Sequence, residues 1–394
     1  MQYKCFPANN YRKINSLTGA RFFAILIIVF SHFEFLEKYG EFGIIYSSYI
    51  HNPTMGVDFF FMLSGFGMMI SSIIKDPACS KSVGGLKGMV VFGIKHIKKI
   101  YAPYVFSLLL GIPYYCLTCG DFILIGLAKC AVYFSVDLTL FQSATGIMAF
   151  SHSLNGVCWF FSSLFCIYLL SPIILKLLKI HIKSAKVAIV GIFVSILISF
   201  ILLVLFRWVE AKTFLDVLSY VSPIRRVFYV IPGMLMAQVF VFFKNNKQKK
   251  TLRLFKSGAF EYITICNSVI WFFFRNTISS KIGPYVVFLD MILVCCYLYA
   301  LAIGNGIFSY FFSNKIVVYL GSISMYIFLF HYVIRMYVDY IVRSIGIESL
   351  AIGLFEVFII LFSSFILSSL IFYFKNKRTI TNLSKKEIPP KKKR

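Results

Sequence analysis

Apolar residues run along this chain in long, nearly unbroken blocks at roughly 14–36, 54–74, 98–118, 156–178, 186–206, 224–243, 259–275, 284–303, 316–338 and 350–374. A helix needs roughly 20 residues to cross about 30 Å of hydrocarbon, and each block is about that long. The pattern predicts an all-α integral membrane protein, a polytopic helical bundle of about ten transmembrane helices joined by short loops. A weaker run over 121–136 has Asp121, Lys129 and Asp137 in or beside it, so hydropathy alone leaves open whether it crosses. Composition agrees: of 394 residues, 59% are apolar, 18% aromatic and only 14% charged, with a mean hydropathy of +0.82. Those values exclude a water-soluble globule and leave no room for a large extramembrane domain.

Charge orients the bundle. The net charge of +25 would in a soluble protein suggest nucleic acid, but here the 40 Lys and Arg must first be placed relative to the membrane. With ten crossings and both termini cytoplasmic, the cytoplasmic segments hold roughly three times as many Lys and Arg as the outer loops, as the positive-inside rule requires. An eleventh crossing at 121–136 would put the basic loops after it on the wrong side, so that run is expected to re-enter or to lie in the interface. The N-terminal segment lacks a small-residue cleavage site after its apolar run and is expected to stay as the first span. The chain divides into a membrane domain, 1–376, and a basic cytoplasmic tail, 377–394, which suits anionic lipid better than nucleic acid. No internal repeat is evident. Of the ten cysteines, Cys116, Cys130, Cys158, Cys166, Cys266, Cys295 and Cys296 lie in or beside apolar runs and are expected to pack as small hydrophobes. Cys116 and Cys119 form a CxxC, but no second pair or His cluster accompanies it, so no metal site is expected.

Ionisable groups within the bilayer are costly, which makes each one a functional candidate. The first span carries Arg21 toward the cytoplasm and His32 toward the outside. Eleven steps of about 100° bring the two onto one stripe, roughly 16 Å apart along the axis. Snorkelling of Arg21 to lipid phosphate is the alternative reading. Asp58 opens the second span at about the depth of His32, where it could fix the imidazole tautomer and raise its basicity, or simply cap its helix. Lys95, His96, Lys98 and Lys99 precede the third span at the cytoplasmic edge. Positive-inside bias accounts for some of them, and a polyphosphate site, such as one for the nucleotide end of coenzyme A, accounts for all. On the outer side stand Asn155 and Trp159, the pair Arg225 and Arg226, which calls for an anionic partner or acceptor, and His331 in the ninth span. Asp290 and Glu356 also lie within spans, without an obvious partner.

LTGARFFAILIIVFSH, GVDFFFMLSGF, KKIYAPY, WFFSSLFCIYLLSP, SPIRRVFYVIPGM and YLGSISMYIFLFH follow one another in an order that resembles the membrane acyltransferase-3 family, which includes bacterial O-antigen and exopolysaccharide O-acetyltransferases. The resemblance covers about residues 14–340. It implies a ten-helix enzyme of the bacterial cytoplasmic (inner) membrane that passes an acyl group, usually acetyl, from cytoplasmic acyl-coenzyme A to a hydroxyl of a cell-surface or lipid-linked glycan. It also implies that Arg21 and His32 match the family's essential pair and Asp58 its acidic position. Many members carry acidic residues shortly after the tryptophan of the fourth-span motif, where this chain has Leu164 and Phe165. No appended esterase-like domain of the kind found in some peptidoglycan-modifying members is expected, which makes peptidoglycan a less suitable acceptor.

Together these readings set His32, oriented by Asp58, as general base. Arg21, Lys98 and Lys99 would bind the acyl-coenzyme A co-substrate, and Trp159, Arg225, Arg226 and His331 would face the acceptor. No bound cofactor, metal or nucleic acid is expected, and membrane lipids are the surrounding partner. The rival from another class is a transporter for a polysaccharide or lipid-linked sugar, which would not consume an acyl donor.

Overall fold

The computed structural model describes residues 14–75, 85–120, 123–245, 258–346 and 348–386. The tail beyond 386, Asp121 and the basic residues between 246 and 257 lie outside the described residues. Among the described residues every regular element is helical. The ten apolar runs fall on ten helices: α1 (Asn15–Phe30), α3 (Thr54–Lys75), α4 (Gly85–Thr118), α7 (Trp159–His181), α8 (Ala185–Glu210), α10 (Pro223–Asn245), α11 (Gly258–Ile282), α12 (Val286–Ile303), α14 (Lys315–Ile345) and α15 (Leu350–Lys386). Short helices fill the connections: α2 (Gly40–Ile45), α6 (Met148–Ser151), α9 (Leu218–Val221) and α13 (Ile307–Phe312). By length and composition, 8 segments can cross a membrane, one of them the Gly258–Ile303 stretch that contains both α11 and α12. The protein is a polytopic helical membrane protein.

Its surface shows why water cannot be its solvent. On α8, Val190, Phe193, Val194, Leu197, Ile201, Val204 and Leu205 are exposed, while the same helix turns Ala188, Ser195 and Ser199 inward. Apolar outside and small or polar inside is the arrangement of a helix in lipid, where close packing rather than hydrophobicity drives association. The largely buried helix α3 packs on α10, α1 and α12, while α14 joins α1 to α15 and α4. Glycines on both helices permit the contact between α3 and α10. A Cβ on Gly233 would collide with the Met62 carbonyl, and one on Gly65 with the Val230 carbonyl, so α3 and α10 touch backbone to backbone. Gly233→Ala is therefore expected to separate the two helices and cut the yield of monodisperse protein in detergent. Fluorescence-detected size-exclusion chromatography measures that yield, and an unchanged profile would refute the close contact.

Residues 123–136 of the weak run belong to a 17-residue helix, α5 (Ile123–Thr139), that folds back along α4. Tyr104 Oη donates to the Asp137 carbonyl at 2.8 Å and Tyr101 Oη to that of Leu138 at 3.0 Å. The chain then traverses a connection, 140–158, in which Gln142, Ser143, Ser151 and Asn155 are buried and must find partners within the protein. Gln142 donates to Tyr104 Oη at 2.8 Å, Ser143 and Ser162 hydroxyls pair at 2.8 Å, and Asn155 donates to Ser107 Oγ at 3.1 Å and to the Leu329 carbonyl at 3.0 Å. This polar loop leads directly into α7 and forms one wall of the candidate site.

Candidate functional site

The ionisable residues gather at two levels of the bundle. Near the start of α1, Arg21 borders a cavity of about 330 Å³ with Leu17, Thr18, Leu63, Phe66 and Ile70. Its guanidinium is within electrostatic reach of the Tyr168 and Tyr326 hydroxyls. Tyr326 Oη accepts from Lys375 Nζ at 2.9 Å, and the same ammonium donates to the Lys99 carbonyl at 2.5 Å. That carbonyl is free because Pro103, inside α4, has no N–H to offer the residue four positions back. The His96 ring stacks on Phe92 and lies 5.1 Å from that of Tyr168. Thus Arg21, Tyr168, Tyr326 and Lys375 link α1, α7, α14 and α15 at this level, Lys375 reaches the Lys99 carbonyl of α4, and the Lys98 and Lys99 side chains themselves are exposed.

At the other level, α1 ends at Phe30 and His32 sits in the turn after it. His32 Nδ1 lies 3.9 Å from Glu34 Oε1, a separation for charge attraction rather than a hydrogen bond. The second oxygen of Glu34 is held by Arg335 Nη2 at 2.8 Å. The His32 ring also lies 5.3 Å from His331 and meets Tyr332 edge-on at 5.3 Å. His331 is fully buried; its Nδ1 is 3.0 Å from the Ile327 carbonyl, which makes Nδ1 the donor and leaves Nε2 with a lone pair and no partner. A cavity of about 180 Å³ adjoins this cluster, lined by Tyr114, His152, Ser153, Tyr332, Arg335 and Asp339 among others. His152 Nδ1 and Arg335 Nε are likewise buried without partners. One small polar cavity is therefore bordered by two unpaired polar atoms, with a third beside it. Among the described residues no group of three or more His, Cys, Asp or Glu side chains has the placement of a metal site.

The electrostatics of the loop groups can be read directly. Burial opposes charge on Glu34, but the facing His32 and the Arg335 guanidinium outweigh it and bring its carboxyl down to about 2. Glu34 is thus an anion throughout the physiological range. Burial first, and next the charge that His32 takes up on protonation, hold His152 down at about 4, so it is neutral at pH 7. An imidazole ordinarily near 6.5 and lowered by folding contributes stability above that value and loses it as pH falls toward 4. Thermal stability is expected to decline across that window, and His152→Gln should flatten the decline. Melting curves from pH 7 to 4 test this, and identical slopes for wild type and variant would contradict it.

One expectation is corrected. Asp58 does not orient His32: its carboxylate is fully buried on α3 and is taken by Arg226 Nη1 at 3.2 Å. Glu34 occupies the place beside His32 instead. Trp159, Arg225 and Arg226 do not line the polar cavity, because they are engaged with each other's neighbourhood in the bundle interior. The Arg226 guanidinium donates to the Tyr220 carbonyl at 2.8 Å and lies about 5 Å from the rings of Trp159, Tyr220 and Tyr229. Arg225 donates to the Ser219 carbonyl and to Tyr229 Oη. The anionic partner that Arg226 required is Asp58, not a ligand. Asp290 also has a partner, forming paired bonds with Arg275 and accepting from Trp271 Nε1 at 2.8 Å. A cleft of about 590 Å³ between α1, α3 and α11 is lined almost entirely by apolar side chains, with Ser268 and Tyr297 its polar members, so it carries none of this chemistry.

A family model described as an acyltransferase domain, Acyl_transf_3, matches residues 14–373. The chain belongs to that acyltransferase family. The match spans both levels, from Arg21 on α1 and His32 in the turn after it to His331 and Arg335 on α14. Comparison with curated proteins and with solved structures gives no match. The candidate site of this acyltransferase includes residues that the sequence alone did not mark: Glu34, His152 and Tyr332. Arg335 was visible as a charge within a span, and its spacing of four from His331 on one helix was a usable signal.

Proposed function

We propose that this acyltransferase moves an acyl group, acetyl in the first instance, from cytoplasmic acyl-coenzyme A to a hydroxyl of a cell-surface or lipid-linked glycan at the bacterial cytoplasmic membrane. The observation that carries the reading is the outer cluster: His32 beside an anchored carboxylate, next to a polar cavity bordered by an unpaired imidazole nitrogen of His152 and an unpaired guanidinium nitrogen of Arg335. A neutral imidazole nitrogen accepts a hydrogen bond and a guanidinium donates one, which suits a ligand rich in hydroxyl groups. In this reading the coenzyme A phosphates lie near Arg21, Lys98 and Lys99, and the thioester arm extends toward His32. His32 Nε2 removes the proton of the acceptor hydroxyl as its oxygen attacks the thioester carbonyl, the coenzyme A thiolate leaves, and the proton follows it. Glu34, held by Arg335, keeps Nδ1–H of the imidazole turned toward itself and stabilises the imidazolium that forms.

The test supplies inverted membrane vesicles with acetyl-labelled acetyl-coenzyme A on their cytoplasmic face. Label is expected to pass into glycan with release of free coenzyme A. A bundle that only transports sugar would consume no donor, so export without donor consumption would overturn the proposal. Arg21→Ala is expected to raise the KM for the donor about tenfold or more, because one charged hydrogen-bonding partner contributes about 1.5–3 kcal/mol. A KM equal to that of wild type would remove Arg21 from donor binding.

A further inference from the structure

The fold-back of α5 on α4 brings three thiols together that the transfer chemistry does not use. Cys116 Sγ on α4 and Cys130 Sγ on α5 face one another at 3.7 Å. Cys119, one turn beyond Cys116, bonds back to the Cys116 carbonyl and lies across from Gly126. The pairing is held in register from both sides. Tyr115 meets Tyr133 edge-on at 5.7 Å next to the thiols, and deeper along the hairpin the Tyr101 and Tyr104 hydroxyls bond the end of α5. Cysteines so placed are more than small hydrophobes filling space, because two thiols on separate helices need only a modest side-chain rotation to bond. From 3.7 Å the sulfurs close by about 1.7 Å to a bond length near 2.05 Å. The orientation drawn from the distribution of Lys and Arg puts the α4–α5 connection on the outer face of the membrane, where thiols oxidise and the resulting bonds persist.

We propose that Cys116 and Cys130 are a modification site, joined by a disulfide that ties α5 to α4. The proposal rests on that orientation but not on the identity of the acyl donor or acceptor. The oxidant is an extracytoplasmic oxidoreductase carrying a disulfide of its own. The Cys116 thiolate attacks that disulfide to form a mixed disulfide and release one thiol of the oxidant. The Cys130 thiolate then displaces the second, so the protein loses two protons and two electrons and the oxidant leaves as a dithiol. Cys116 is the half-buried and Cys130 the buried member, which fits entry through the first and resolution by the second. The bridge reaches the site through the loop that follows. Asp137, near the end of α5, accepts from Ser153 Oγ at 2.8 Å, and Ser153 with its neighbour His152 lines the polar cavity. Anchoring α5 therefore anchors the cavity wall.

The experiment traps thiols in acid in freshly harvested cells, denatures and alkylates the full chain with N-ethylmaleimide, and maps the digest without reduction. The expected product is a linked peptide pair containing Cys116 and Cys130, with two fewer maleimides taken up before reduction than after it. Cys116→Ser and Cys130→Ser should each abolish the link, and Cys119→Ser should leave it. In purified protein, treatment with a reductant is expected to raise the acceptor KM several-fold with little change in kcat, and only when both cysteines are present. A chain with all thiols free, or a link from Cys116 to Cys119 instead, overturns the proposal. A membrane-impermeant maleimide applied to spheroplasts separates the causes. If Cys119 is labelled and Cys116 and Cys130 are still thiols, the orientation stands and the disulfide falls; if Cys119 is labelled only in inverted vesicles, the orientation falls and the proposal with it.

Discussion

His32→Ala is expected to lower the acyl-transfer rate by about 10²- to 10⁴-fold, the usual contribution of a positioned general acid–base group. The expectation follows from geometry that only an imidazole satisfies here. His32 lies at the end of α1, with a carboxylate at one nitrogen and an adjoining polar cavity. Its ring is one-quarter exposed, at 23%, so the substitution leaves no large hole in the core and the protein should fold in normal amount. Glu34→Gln should cost less, on the order of tenfold. It keeps the shape but removes the charge that stabilises the imidazolium and that Arg335 anchors. Initial rates in vesicles, normalised to folded protein, give both values. A His32→Ala enzyme of wild-type rate, or a Glu34→Gln enzyme more impaired than His32→Ala, would contradict the assigned roles.

The second large effect is on folding. Asp58→Ala leaves the Arg226 guanidinium, 1% exposed, without its anion, and Arg226→Ala does the reverse to a carboxylate that is 0% exposed. Breaking a buried ion pair from one side costs about 3–5 kcal/mol, because the remaining charge is neither solvated nor paired. Each single variant is therefore expected to lose most of its folded protein. The double variant Asp58→Leu with Arg226→Met removes both charges and should recover much of it, since an apolar pair of similar volume is often no worse than a buried salt bridge. Size-exclusion yield and melting temperature compare the three. If Asp58→Ala folds as well as wild type, the ion pair is not what holds α3 to α10 at this level. If the double variant folds and still transfers acyl groups, Asp58 acts on structure and not on His32.

The helices were legible because a helix in lipid announces itself by composition. Helix ends were less so. α4 begins at Gly85 and α14 continues to Ile345, well past their apolar runs, because a helix persists into the interface once its backbone bonds are made. α1 stops at Phe30, short of its run, where the chain turns at His32. Arg21 and His32 stood out by the cost of charge in a membrane, and the structure sets each beside a polar cavity or cluster. The partner of Asp58 was not legible, since depth alone allows His32 or Arg226 and only the packing of α3 on α10 decides between them. Glu34 was missed for the opposite reason. It falls at the very end of the first apolar run, where a carboxylate reaches the interface at little cost, and its value comes from Arg335, far away in sequence and 2.8 Å away in space.

The measurement that most directly tests the central claim is the O-acyl content of surface glycan, by proton NMR and mass spectrometry. It compares cells lacking the gene, cells complemented with wild type, and cells complemented with His32→Ala. The account predicts that one O-acyl group disappears in the deletion, returns with wild type, and stays absent with His32→Ala although that protein reaches the membrane. Acylation unchanged in all three, with less glycan at the surface of the deletion strain, would contradict it and point to transport.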